Sequence, residues 1–197
     1  TSRISDHFQI GQKLEQIDAD LFFPTFRVDP LLSIKNGEIF EIIKHRSNVI
    51  IASLTEFEEY IAEKFEYFVK HKARSAAVSL PPNFPTTKVE RETELFNDMI
   101  KDPMSYRNKS NEINWFKAYI MSYVANLCGV KNIPFQLMVG AKKEIYEHGV
   151  PGGCDQSDPV SSLDSLLYLL NNFPQVNFPI SILRSTQSQE LAEYARE

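Results

Sequence analysis

Arg27 is the residue whose type and place first suggest chemistry. It ends an apolar run in Phe26-Arg-Val-Asp-Pro30. A guanidinium there can hold a carboxylate through two parallel N–H bonds. The structural alternative is an ion pair with Asp29 or with a neighbouring loop. Lys142 and Lys143 close a second apolar run, Met138-Val-Gly-Ala-Lys-Lys143, in which Gly140 lets the backbone bend sharply. One of these lysines could attract an anionic substrate; a solvated pair on a surface loop is the other reading. Arg184 ends a third apolar run and is either a site cation or a capping one. His148, Cys154, Asp155 and Asp158 crowd one stretch and are metal ligands by type. Their spacing matches no metal geometry, so a polar loop is expected there.

The missing motifs narrow the chemistry. There is no G-x-G-x-x-G and no G-x-x-x-x-G-K-S/T, and with 7 glycines in all the usual phosphate cradles are absent. G-x-S-x-G, H-E-x-x-H and C-x-x-C are absent too. His7, His45, His71 and His148 are scattered, so no local pair can start a metal site.

These residues must be positioned by strands and helices. Four short apolar segments read as strands: Leu21–Arg27, Ser75–Leu80, Ile133–Val139 and Val176–Leu183. They lack clean alternation, which predicts parallel strands covered on both faces. Pro24, Pro134 and Pro179 fall near strand starts, where proline is tolerated. A helical pattern follows each strand. Thr55 with Glu58 has the capping-box spacing, and Phe57, Ile61, Phe65 and Phe68 then share one face. A second helix is expected over 111–127, with Ile113, Phe116, Ile120, Tyr123, Val124 and Leu127 buried. A third starts near Ser161 or Ser162 and buries Leu163, Leu166, Leu167 and Leu170. A fourth starts near Ser185 or Thr186 and continues through Leu191 and Tyr194. A short extra helix is expected over 38–45, after the turn signal Asn36-Gly37. Cys128 is expected to be a small buried hydrophobe. The alternation of strand and helix argues an α/β fold with right-handed crossovers. Two long loops, Pro81–Thr87 and Ala141–Pro159, follow strand C-termini, the edge where α/β folds place ligand sites.

Composition supports a globular chain. It has 197 residues, 43% of them hydrophobic and 24% charged, with a net charge of −5. The acidic balance and the lack of a basic stripe argue against a nucleic-acid partner. Mean hydropathy is −0.28, and no long uncharged apolar run suggests a membrane span. Thr1–Asp6 has no apolar run, so a signal peptide is not expected. With two cysteines, Cys128 and Cys154, a reducing cytoplasmic setting is expected rather than a disulfide scaffold.

Taken in order, the segments resemble the uronate (glucuronate) isomerase family of the amidohydrolase superfamily. The pieces are Phe26-Arg-Val-Asp-Pro-Leu-Leu32, Val78-Ser-Leu-Pro-Pro-Asn-Phe84, Asn132–Lys143, Asp164–Phe173 and Ile182–Leu191. The resemblance implies a TIM-type (β/α)8 barrel, of which the four β/α units resemble strands three to six. Residues 1–197 would then be the central part of one barrel domain, with the flanking strands outside this chain. It also implies interconversion of uronates and keto-uronates, such as D-glucuronate with D-fructuronate and D-galacturonate with D-tagaturonate. Arg27 becomes a substrate-binding residue. Lys142 is carried over as a second contact, at a position where members vary after the glycine. Met138 stands where some members have histidine.

The family's metal site uses an H-x-H pair at the end of the first barrel strand and a late Asp; nothing in this sequence corresponds to either. A divalent metal, Zn or Mn, is implied by the family, with its ligands outside this chain. Four β/α units cannot close a barrel that needs eight strands and typically about 250 residues. They leave two open sheet edges, covered either by the rest of a longer enzyme or by self-association. A metal-dependent hydrolase of the same superfamily and a non-catalytic partial-barrel module are the other readings.

Overall fold

The computed structural model describes residues 23–32, 40, 43–44, 49–84, 90–102, 109–143, 155–157 and 160–195. In chain order the elements are β1 (Thr25–Arg27), α1 (Asp29–Leu32), α2 (Leu54–Lys70), β2 (Ser75–Leu80), α3 (Glu92–Lys101), α4 (Ser110–Lys131) and β3 (Phe135–Val139). There follow β4 (Ala141–Lys143), β5 (Asp155–Ser157), α5 (Asp164–Asn172), β6 (Ile180–Ile182), a 3-10 turn over Ser185–Gln187 and α6 (Ser188–Glu193). Of the short helix expected over 38–45, Phe40, Ile43 and Lys44 are helical and the other positions lie outside the described residues.

Strands β1, β2, β3 and β6 form one parallel sheet in that spatial order. Each new strand is added on the same side of the last. With right-handed crossovers this puts successive helices on one face of the sheet. A doubly wound sheet would reverse direction at a switch point. No reversal occurs among the described strands, so the architecture is that of a β/α barrel wall. The prolines sit just ahead of the strands they were expected to open. Pro134 O accepts from Ala76 N at 3.0 Å and Pro179 O accepts from Leu137 N at 2.9 Å. A residue without an N–H can still supply an acceptor to the neighbouring strand.

The expectation of strands covered on both faces needs correction. Burial alternates along β1 and β3, and partly along β2. Phe26, Ala76, Val78, Leu80, Phe135, Leu137 and Val139 are buried. The register aligns Arg27 with Ala77 and Gln136, and Ser79 with Met138 and Ser181. Register partners share a face, and residues two apart share it too. One face is therefore apolar and covered by helices. The other carries Thr25, Arg27, Ser75, Ser79, Gln136, Met138 and Ser181, all half-buried or exposed among the described residues. Short strands containing Ala77 and Met138 hid this alternation in the sequence.

The covered face is held by aromatic packing. Phe26 meets Phe65 and Phe68 edge-to-face, with ring centroids 5.3 and 5.4 Å apart. Phe57 lies 5.6 to 6.1 Å from Phe40, Phe96 and Phe116. Such pairs add to the burial of their area. Of the stripe expected on α4, Ile113, Phe116, Ile120 and Val124 are buried, while Tyr123 and Leu127 are half-buried. On α5 Leu166 and Leu169 are buried, and Leu167 and Leu170 less so. Cys128 is fully buried, and burial pushes its thiol up to about 12.

Other boundaries shift for local reasons. The cap of α2 is Ser53, not Thr55: Ser53 Oγ accepts from Glu56 N at 3.2 Å, and Glu56 Oε2 accepts from Ala52 N at 2.7 Å. Thr55 and Glu58 have the same spacing as Ser53 and Glu56, so the sequence carries two overlapping capping-box patterns two residues apart. Helix α4 runs four residues past 127 and ends at Asn132, in the left-handed region at φ 53°. Asn132 N bonds Gly129 O and Ile133 N bonds Cys128 O, the two bonds of a Schellman cap. Helix α3 was not expected, although Leu95, Phe96 and Met99 are its buried residues at helical spacing. The loop expected over 141–159 contains an antiparallel pair, β4 with β5. No helix among the described residues is long and apolar enough to cross a membrane.

Candidate anion-binding site

Arg27 is the last residue of β1, at the C-terminal edge of the sheet. Its guanidinium is fixed on two sides. Nε donates to Asp29 Oδ2 at 2.9 Å, and Nη2 lies 2.8 Å from the same oxygen. Nη2 also donates to Ser79 Oγ at 3.0 Å. The other oxygen of Asp29 accepts from Ser79 N at 2.9 Å. Asp29 thus joins the end of β1 to the end of β2, a step that Val28 N extends by bonding Ala77 O at 2.9 Å. The side chains of Arg27 and Asp29 keep 23% and 21% of their exposure, so the pair is reachable. Nη1 makes no hydrogen bond among the described residues, which leaves its two N–H groups as donors. The two sequence readings of Arg27 are therefore compatible. The Asp29 ion pair is present, and it holds the guanidinium without using all of it.

Further along the same edge, β3 is followed by Gly140, whose φ is +101°. A Cβ there would approach Ser161 Oγ to 3.1 Å. Ser161 is buried and its hydroxyl has no hydrogen-bond partner among the described residues. Its backbone is clamped by Gln187: Oε1 accepts from Ser161 N and Nε2 donates to Ser161 O, both at 2.9 Å. This buried amide clamp ties the entry of α5 to the exit of β6. Gly140→Ala combines backbone strain with that close approach, and we expect it to cost about 1–3 kcal/mol. A melting temperature equal to the parent's would show that the turn tolerates a side chain.

The other residues singled out by sequence lie on other elements or outside the described region. Lys142 lies in β4 opposite Gln156, and Lys143 opposite Asp155. Arg184 precedes the 3-10 turn, and its Nε donates to Thr186 Oγ1 at 3.0 Å without capping a backbone group. His71 caps α2, its Nδ1 donating to Tyr67 O at 2.7 Å. His7, His45, His148, Cys154 and Asp158 lie outside the described residues. Sequence reasoning missed Ser79 and Gln187. Ser79 had no local signal, since it is 52 positions from Arg27 and only the strand register brings the two together. Gln187 had none either, since its partner is 26 positions away.

One polar cluster elsewhere is structural. Tyr119 donates to the Glu58 carboxylate, and Tyr123 donates to Glu58 O at 3.1 Å, which fastens α4 to α2. Burial, followed by the bond to Glu58, holds the Tyr119 phenol well above its usual range.

No three His, Cys, Asp or Glu side chains gather to hold a metal ion among the described residues. The described residues alone therefore do not fit a divalent metal site. What they provide is a half-buried cation at the C-terminal edge of a β/α barrel wall, where such folds bind small ligands.

The chain belongs to the glucuronate isomerase family, whose model matches residues 1–196. Solved structures agree on the fold. The uronate isomerase of Thermotoga maritima aligns at 22% identity and a TM-score of 0.77, covering 88% of this chain and 40% of that one. Glucuronate isomerase of Caulobacter crescentus aligns at 19% identity and a TM-score of 0.72, covering 87% and 38%. The uronate isomerase of Bacillus halodurans gives 22% identity, a TM-score of 0.60 and coverage of 95% and 38%. The chain thus spans about two-fifths of the length of these relatives. No curated protein matches it.

Proposed function

We propose that residues 1–197 form the central part, strands three to six, of the (β/α)8 barrel of a cytoplasmic uronate isomerase in the amidohydrolase superfamily. The helix-free face of the sheet then looks into the barrel, and Arg27 stands at the mouth. The full-length protein interconverts aldose and ketose forms of hexuronates in carbohydrate metabolism, D-glucuronate with D-fructuronate or D-galacturonate with D-tagaturonate. The reaction is an internal redox exchange. A proton leaves C2 and another arrives at C1 through an enediol-like intermediate; C2 becomes the ketone and C1 the alcohol. Positioned acids and bases are required for it. A divalent ion, zinc or manganese, would polarise substrate oxygens when bound, with ligands outside the described residues.

The observation that carries this reading is Arg27, locked by Asp29 and Ser79 with Nη1 left over. A uronate differs from a neutral sugar by its carboxylate, and a fixed guanidinium recognises that group by charge and geometry. Lys142, beyond the Gly140 turn, is the second anion contact in this proposal. The test is turnover of D-glucuronate and D-galacturonate by the full-length protein, with and without Zn²⁺ or Mn²⁺. We expect one of them to be isomerised in a metal-dependent manner; turnover of neither overturns the assignment.

A further inference from the structure

We propose that the Ser79 hydroxyl is a second ligand donor of the Arg27 site, so that one carboxylate is received by Arg27 Nη1 and Ser79 Oγ together. Asp29 is the positioning residue for both. The inference rests on the reading of Arg27 as the substrate anchor and adds a residue that the family match does not assign.

The hydrogen-bond ledger of the cluster leads there. Arg27 has five N–H donors. Nε and Nη2 face Asp29 Oδ2 at 2.9 and 2.8 Å, and Nη2 also reaches Ser79 Oγ at 3.0 Å. What remains is Nη1. Ser79 Oγ is the acceptor in its bond with Arg27, so the hydroxyl proton is still available to donate. The Ser79 backbone N–H is held by Asp29 Oδ1 at 2.9 Å. A single carboxylate therefore aims the guanidinium with one oxygen and fixes the serine with the other. Ser79 and Arg27 lie on the same, helix-free face of neighbouring strands, and Ser79 is half-buried rather than sealed.

Electrostatics gives the hydroxyl a purpose. Asp29 neutralises most of the charge of Arg27 seen from a distance. A second anion is then held less by net attraction than by directed donors at short range. A neutral hydroxyl adds one such donor without adding charge. It can meet one oxygen of a carboxylate whose other oxygen meets Nη1.

The experiment compares Ser79→Ala and Ser79→Thr in the full-length protein, using whichever uronate it turns over. We expect Ser79→Ala to lower kcat/KM about tenfold, carried by KM, as befits loss of a hydrogen bond to a charged group. Ser79→Thr keeps the hydroxyl and recovers most of the loss. An unchanged KM in Ser79→Ala overturns the proposal. So does an equal loss in both variants, which would mark a packing role. Calorimetric titration with D-glucuronate and D-galacturonate reads the contact without turnover. A parent protein that binds but does not isomerise ends the isomerase reading alone, and Ser79 is then judged by Kd. A parent that binds neither uronate ends both.

Discussion

We expect Arg27→Ala in the full-length protein to lower kcat/KM for the proposed hexuronate substrate by roughly 10- to 150-fold, the effect of losing about 1.5–3 kcal/mol of charge-assisted bonding. The loss has two sources. The first is the contact from Nη1. The second is Asp29, whose carboxylate loses the cation 2.8 Å away and is left facing an anionic substrate. For the same reason Arg27→Lys restores little. An ammonium cannot serve Asp29, Ser79 and a ligand at once from a planar fork. Steady-state kinetics of the two variants decide the matter. An alanine variant with parental kcat and KM would remove Arg27 from the site, whatever the protein's activity proves to be.

The second large effect is on stability. Phe57→Ala is expected to destabilise the protein by about 3–5 kcal/mol, the range for truncating a fully buried aromatic ring. Phe57 has no exposed surface and sits among Phe40, Phe96 and Phe116. These come from different elements, so the cavity would open where α2, α3 and α4 meet. A native domain has only about 5–15 kcal/mol in hand. Urea unfolding measures the change as a lower midpoint, and Phe57→Leu should lose much less. A cost below about 1 kcal/mol for the alanine variant would mean that the three helices do not share one core.

The strands and main helices could be read from the sequence because each is signalled locally. Ser75–Leu80 matches its strand residue for residue, and the stripe Phe57, Ile61, Phe65 and Phe68 is buried as its spacing requires. Ends were harder to read. Two overlapping capping patterns compete at Ser53 and Thr55, and only one side chain reaches the backbone. Helix α3 has a weak sequence signal because its apolar residues, Leu95, Phe96 and Met99, are few and flanked by charge. The two faces of the sheet were not legible for a different reason. Ala77 is buried for its small size on the open face, which blurs the period of two. Arg27 stood out as a cation after an apolar run. Its geometry did not, since Ser79 is 52 positions away and only the strand register brings them together.

That register has a consequence for how the protein folds. In a parallel sheet, sliding β1 by one residue exchanges the faces of its side chains. Phe26, fully buried against Phe65 and Phe68, would turn to the open side. Arg27 would be driven among aromatic rings, where an unpaired charge is strongly disfavoured. A strand of three residues has few backbone bonds with which to choose its alignment. The penalty on a misplaced guanidinium makes that choice steep. The side chain proposed to hold the ligand would thus also proofread the assembly of the wall on which it stands.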